Sequence, residues 1–154
     1  MMIQYHVGDL LEAPQELIAH GCNAQGVMGA GVAKAIKVKY PWAFKTYQER
    51  YKSRGLILGE VVMSSNNSKF VANCITQYTY GTGNGRHANY AAIAECFMSL
   101  NQIMEDMNLT EIAMPLIGCG LGGANPDQVK SLIYEEFKGD KTVHIYTLEA
   151  PVGK

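Results

Sequence analysis

Glycine recurs at close intervals in two segments, each lying between an apolar, strand-like run and a helical pattern. The first, HGCNAQGVMGAGV at positions 20–32, contains Gly26, Gly29 and Gly31; the second, LIGCGLGG at 116–123, contains Gly118, Gly120 and Gly122. Glycine tolerates positive φ and lets the backbone approach a ligand closely. Free N–H groups at a following helix start favour an anion such as a diphosphate. Tight packing explains one such turn equally well, but two at the same sheet edge would clasp a diphosphate from both sides. A dinucleotide-fold fingerprint would show a single early loop with an acidic residue about 20 positions later. Neither segment has that pattern and no GxxxxGK[ST] loop is present, which disfavours a nicotinamide dehydrogenase.

Polar side chains that could act beside these loops are His20, Asn23 and Gln25, together with the run YTYGTGNGRHANY at 78–90. Within that run Arg86 could pair bidentately with a terminal phosphate, and His87 could give a proton to a departing oxygen. The alternative is an exposed loop with a solvated histidine. His20, at a strand end, is a candidate catalytic group or a structural histidine satisfied by its neighbours, while His6 and His144 lie inside strands and read as structural. Cys119 is a nucleophile by residue type only. The four cysteines, Cys22, Cys74, Cys96 and Cys119, form no CxxC pair and suggest reduced, mostly buried thiols, with no metal site.

The elements that must position these groups alternate along the chain. Met2 to Val7, Leu17 to Gly21, Glu60 to Ser64, Phe70 to Thr76, Glu111 to Leu116 and Thr142 to Leu148 read as strands. Three helical stretches lie between them. The first follows the glycines near position 30, with a further turn starting at Pro41 and stopping at Gly55. In the second, Ile93, Phe97, Leu100, Met104 and Met107 share one face, which should be core. The third opens with Asn125-Pro126, an N-cap followed by proline at N1, and carries Val129, Leu132, Ile133 and Phe137 on its apolar side. Such alternation predicts an α/β sandwich with a mainly parallel sheet. Ligands of such sheets bind beyond the carboxyl ends of the strands, at Gly8-Asp9-Leu10, 20–32 and 117–123.

With 154 residues, 47% hydrophobic and 18% charged, the chain has the size and balance of one folded domain. The formal charge of −1 gives no support for nucleic-acid binding. Lys34, Lys37 and Lys39, then Lys45, Arg50, Lys52 and Arg54, form a local basic stretch, either a solvated helical face or a phosphate-binding patch. No apolar run reaches the roughly 20 residues needed to span a bilayer. The N-terminus does not read as a signal peptide, so a cytoplasmic location is expected.

In order and spacing these segments resemble a macro domain over nearly the full length of the chain. The matching pieces are Gly8-Asp9-Leu10, CNAQGVMGAGVA at 22–33, Lys39-Tyr40-Pro41, IGCGL at 117–121 and VHIYTL at 143–148. The chain is most similar to the branch containing ADP-ribose 1″-phosphate phosphatases and terminal ADP-ribose protein glycohydrolases. The resemblance implies a three-layer α/β/α sandwich with a mixed, mainly parallel sheet, formed by residues 1–154 as a single domain. It implies that Asp9 accepts from the adenine amino group, with Gly8 and Leu10 beside it. Asn23, next to Ala24, would orient the distal ribose. Gly29, Ala30, Gly31 and Val32 would form the first phosphate loop, and Ile117, Gly118, Cys119, Gly120, Leu121 and Gly122 the second. Tyr146 or Leu148 would flank the adenine.

The sequence departs from the family's two hydrolytic patterns. Macro domains that hydrolyse mono-ADP-ribosyl esters often carry an aspartate directly after the first loop, where this chain has Ala33. The terminal glycohydrolases use a lysine after the central strand and an aspartate just after IGCGL, where this chain reads Thr76-Gln77-Tyr78 and Gly122. The expected activity is hydrolysis of ADP-ribose 1″-phosphate to ADP-ribose and phosphate, without cofactor or metal, using Asn23, His87 and His20. The alternatives are a non-catalytic ADP-ribose reader and a deacylase of ADP-ribosyl or O-acetyl-ADP-ribose substrates. An ADP-ribosylated protein is a further candidate partner, and a membrane is not expected.

Overall fold

The computed structural model describes residues 1–80 and 87–148. Six strands form one sheet in the order β1-β6-β5-β2-β4-β3. They are β1 (Met2–Val7), β2 (Leu17–Asn23), β3 (Val61–Ser65), β4 (Phe70–Gln77), β5 (Glu111–Met114) and β6 (Thr142–Thr147). All neighbouring pairs are parallel except β3 and β4. That hairpin is closed by Asn66, whose Oδ1 accepts from Ser68 and Lys69 amides at 3.1 and 2.8 Å, an Asx-type turn. The sheet is therefore mixed and mainly parallel, as predicted.

Four helices, α1 (Gly31–Lys39), α2 (Pro41–Arg54), α3 (Tyr90–Met107) and α4 (Pro126–Glu136), cover it. The first predicted helical stretch is thus two helices. Proline disfavours the helical region for the residue before it, and Tyr40 at φ −123° and ψ 69° breaks the path while capping both helices. The face predicted for α3 is the buried one: Ile93, Phe97, Leu100 and Met104 are all 0% exposed. Burying each such side chain contributes about 1.5–3 kcal/mol. Asn89 caps α3 through Ala92 N, and Asn125 caps α4 ahead of Pro126 as predicted.

The layers follow from strand alternation. On β2, Leu17 and Ala19 face the α3–α4 layer, whereas Ile18 and Cys22 face α1 and α2. A central strand covered on both sides must be apolar nearly throughout, which accounts for its unbroken burial from Leu17 to His20. Among the described residues no helix is long and apolar enough to cross a membrane.

Candidate functional site

The five parallel strands end at one edge of the sheet, and every loop singled out in the sequence leaves from that edge. Gly8 N donates to Thr147 O at 2.7 Å, so the turn after β1 lies against the end of β6. The order β1-β6-β5-β2-β4 spans four strand spacings, about 19 Å.

The first glycine loop is shaped by the helix beneath it. Gly26 has φ 78°, and a side-chain carbon there would lie 2.5 Å from the Tyr51 ring. Ala30 caps α1 without a side-chain acceptor, so the amides of its first turn receive no cap from that residue, and among the described residues they have no other hydrogen-bond partner. In the second loop Gly118 has φ 84°. The amides of Gly118, Gly120, Leu121 and Gly122 donate to no group among the described residues. Two sets of unpartnered amides at one edge make a site for an anion. The loops also approach each other: a carbon on Gly31 would stand 3.5 Å from Leu121 Cδ1.

At the β1–β6 end, Asp9 Oδ1 accepts from Leu11 N at 2.9 Å and opens a single 3-10 turn at Leu10–Glu12. Its other oxygen remains available, and Leu10 is buried beneath. Tyr146 stacks on His6 with ring centroids 4.6 Å apart and donates to Gln15 Oε1 at 3.1 Å. Leu148 is 78% exposed. His6 and His144 share a hydrogen bond of 2.8 Å, and His144 pairs with Glu111 at 2.8 Å, consistent with structural roles.

Toward β4, Asn23 is only 9% exposed, with its side chain engaged by the loop it begins. Its Oδ1 accepts from Gln25 N at 2.9 Å and from Tyr47 Oη at 2.9 Å, and its Nδ2 donates to Val27 O at 2.9 Å. Ala24 N donates to Tyr78 O at 3.2 Å, and Gln25 Nε2 donates to the same oxygen at 2.9 Å. Both Tyr78 and Tyr80 expose their rings at this rim.

The histidine and cysteine candidates fare differently. His20 is fully buried between β2 and α2, with Nε2 2.7 Å from Asn73 Oδ1. Asn73 in turn donates to Val62 O and Ala43 O at 3.1 and 3.3 Å. Desolvation lowers the imidazole to about 4 against the raising effect of the Asn73 bond. The ring reaches neither cleft nor solvent, so the expected catalytic role of His20 is corrected to that of an internal strut. His87 stands beside the second loop, where its amide donates to Gly122 O at 2.8 Å. Its Nε2 is buried without a hydrogen-bond partner among the described residues, as is Thr76 Oγ1 on the adjoining strand. Arg86 lies outside the described residues. Cys119 is half-buried, and burial pushes its thiol up to about 11 against the lowering effect of Lys130, which leaves little thiolate for nucleophilic attack.

Three of the seven residues of the basic stretch are held in ion pairs on the helical side of the fold. Lys39 meets Glu12 at 2.8 Å, and Arg50 and Arg54 meet Glu60 at 3.0 and 2.7 Å. Sequence reasoning missed the supports of the first loop, Tyr47 and Tyr51. Their spacing of four residues on α2 was the available signal, but it points only to a shared helix face.

A mixed sheet between two helical layers, with two glycine loops meeting at the carboxyl edge, defines the class. The chain belongs to the macro domain family, whose model matches residues 19–133. It is 27% identical over 141 residues to the DNA ADP-ribosyl glycohydrolase of Mycobacterium bovis (strain BCG), an alignment covering 89% of this chain and 39% of that protein. It thus spans about two fifths of the length of the DNA ADP-ribosyl glycohydrolases it matches. It is 26% identical to the ADP-ribose glycohydrolase of Homo sapiens over 148 residues, 95% of this chain and 91% of that one. The macrodomain of Mycobacterium tuberculosis DarG matches with a TM-score of 0.83 at 27% identity, covering 94% and 97% of the two chains.

Proposed function

We propose that this macro domain binds ADP-ribose along the carboxyl edge of its sheet and hydrolyses phosphate from the 1″ oxygen, with ADP-ribose 1″-phosphate as substrate. The observation that carries the reading is the approach of the two loops. Gly31 lies against Leu121, and on both loops amides without a partner among the described residues stand where a diphosphate would be held. Adenine lies toward Asp9 and Tyr146, and the distal ribose toward Asn23 and β4. The span of about 19 Å suits a ligand of that length.

In the reaction, the water oxygen bonds to phosphorus, the bond between phosphorus and the 1″ oxygen breaks, and His87 gives a proton to the departing ribose oxygen; of the two protons of the water, one leaves on the phosphate and the other passes through solvent to restore His87. The loops fix the diphosphate, so their binding energy orients the terminal group. Release of phosphate from ADP-ribose 1″-phosphate by the pure protein, above a heat-denatured control, is the expected result; no release removes the phosphatase assignment.

A second reading is glycohydrolysis, favoured by relatives named for ADP-ribosyl substrates. Against it, Gln77 and Gly122 occupy the neighbourhoods of the lysine and aspartate that the terminal glycohydrolases use. ADP-ribosylated DNA and an ADP-ribosylated glutamate peptide, assayed in parallel, separate the readings. Binding of ADP-ribose with no turnover of any substrate identifies a reader.

A further inference from the structure

We infer that Gln77 is a specificity-determining residue, its side-chain oxygen accepting a hydrogen bond from the 2″ or 3″ hydroxyl of the distal ribose. The inference rests on the reading that ADP-ribose lies along the carboxyl edge of the sheet. Gln77 ends β4 where three separate segments meet. It is the partner of Asn23 across the β2–β4 pair, directly after the register shift at Cys22 and Asn23. It also bridges to Ala88, the residue after His87. From the second loop, a carbon built on Gly122 would stand 3.1 Å from Gln77 Oε1.

The polarity of this amide is fixed from one end. Its Nε2 donates to Thr79 O at 2.7 Å. Turning the amide over would bring two oxygens to that distance with no proton between them, so Oε1 is the atom left toward Gly122. Among the described residues no group donates to Oε1, and Gly122 has no side chain to fill the space beside it. The oxygen of the neighbouring Asn23 faces its own loop, where it takes Gln25 N at 2.9 Å. A carbonyl oxygen with both lone pairs open calls for a donor. The diphosphate of ADP-ribose offers acceptors only, and the 1″ oxygen carries the phosphate of the proposed substrate. The 2″ and 3″ hydroxyls are the donors that the distal ribose has left. A site that spends an acceptor on a hydroxyl discriminates against a ligand lacking it, because the protein oxygen then loses its water without replacement.

The test is a calorimetric cycle on the wild type and Gln77→Met with four ligands: ADP-ribose, its 2″-deoxy and 3″-deoxy analogues, and ADP. Methionine keeps the length of the side chain and removes the amide. Gln77→Met is expected to weaken ADP-ribose about tenfold and to leave ADP, which lacks the distal ribose, within about twofold. In the wild type one deoxy analogue should bind about tenfold more weakly than ADP-ribose, and that difference should vanish in Gln77→Met. Which analogue shows it names the hydroxyl. Equal losses for ADP-ribose and ADP would make Gln77 a support of the turn to Thr79 and overturn the inference. A deoxy penalty that survives in Gln77→Met does the same. Should the variant not fold, the side-chain amide resonances of Gln77 in the wild type decide: ADP-ribose should shift them and ADP should not, and equal shifts reject the contact. Wild-type affinity for ADP-ribose in Gln77→Met rejects this inference alone. Absence of wild-type binding at millimolar ADP-ribose removes the proposed function and the inference with it.

Discussion

A side-chain carbon on Gly122 would stand 2.6 Å from the carbonyl oxygen of Gly118, closer than real carbons approach, and 3.1 Å from Gln77 Oε1. The second loop is folded so tightly on itself that position 122 has no room for an acid. Gly122→Asp should therefore lower stability by about 1–3 kcal/mol, measured as a fall in urea midpoint. Combining it with Gln77→Lys should give no glycohydrolysis of ADP-ribosylated DNA. Turnover by the double variant would show that the loop can open to admit the pair.

His20 makes stability depend on pH. Its folded pKa of about 4 lies below the unfolded value of 6.5, so the unfolded chain binds the extra proton between them. The stability held by the neutral ring is complete above pH 6.5 and is lost as pH falls toward 4. The full loss is on the order of 3 kcal/mol. Urea unfolding at pH 7 and pH 4.5 should show the drop, and His20→Gln should flatten it. An equal drop in that variant would assign the pH dependence to other groups.

His87 can be tested without disturbing the loop, because alanine retains the amide that donates to Gly122 O. His87→Ala should bind ADP-ribose within twofold of wild type and lose about a hundredfold in turnover of ADP-ribose 1″-phosphate. An unchanged rate would exclude it as the proton donor.

On the proposed function, Asp9 would combine two jobs in one carboxylate. The oxygen that accepts from Leu11 N caps the 3-10 turn, and its loss should cost about 1 kcal/mol of stability. Asp9→Ala should also weaken ADP-ribose about tenfold while leaving inorganic pyrophosphate affinity unchanged. A parallel loss for both ligands would mean that the turn, and not adenine recognition, is what Asp9 supplies.

With its thiol near 11, Cys119 is protonated at neutral pH. Cys119→Ser should keep the wild-type rate, and iodoacetamide should react slowly at pH 7.5. Complete inactivation by the serine variant would restore covalent catalysis.

Much of the fold was legible because its signals are local. The face shared by Ile93, Phe97, Leu100 and Met104 is the buried face of α3, and Asn125-Pro126 opens α4 through hydrogen bonds within three residues. Strand order was not legible, since β1 joins β6 and β2 lies between β5 and β4 across long stretches of chain. His20 illustrates the same limit within the site. A histidine at a strand end looks the same in sequence whether it faces the cleft or a neighbouring strand. Asn73, 53 residues later, decides the matter.

The two glycine-rich loops were fixed by residue type alone, because only glycine adopts positive φ freely, and Gly26, Gly31 and Gly118 all do so. What holds those loops was left to the tertiary structure. Tyr47 and Tyr51 meet residues 23–27 only once α2 has packed against the sheet, and Leu121 meets Gly31 only once β5 lies beside β2. Backbone freedom is a property of each residue, whereas the closeness of two distant residues is set by packing of the whole chain.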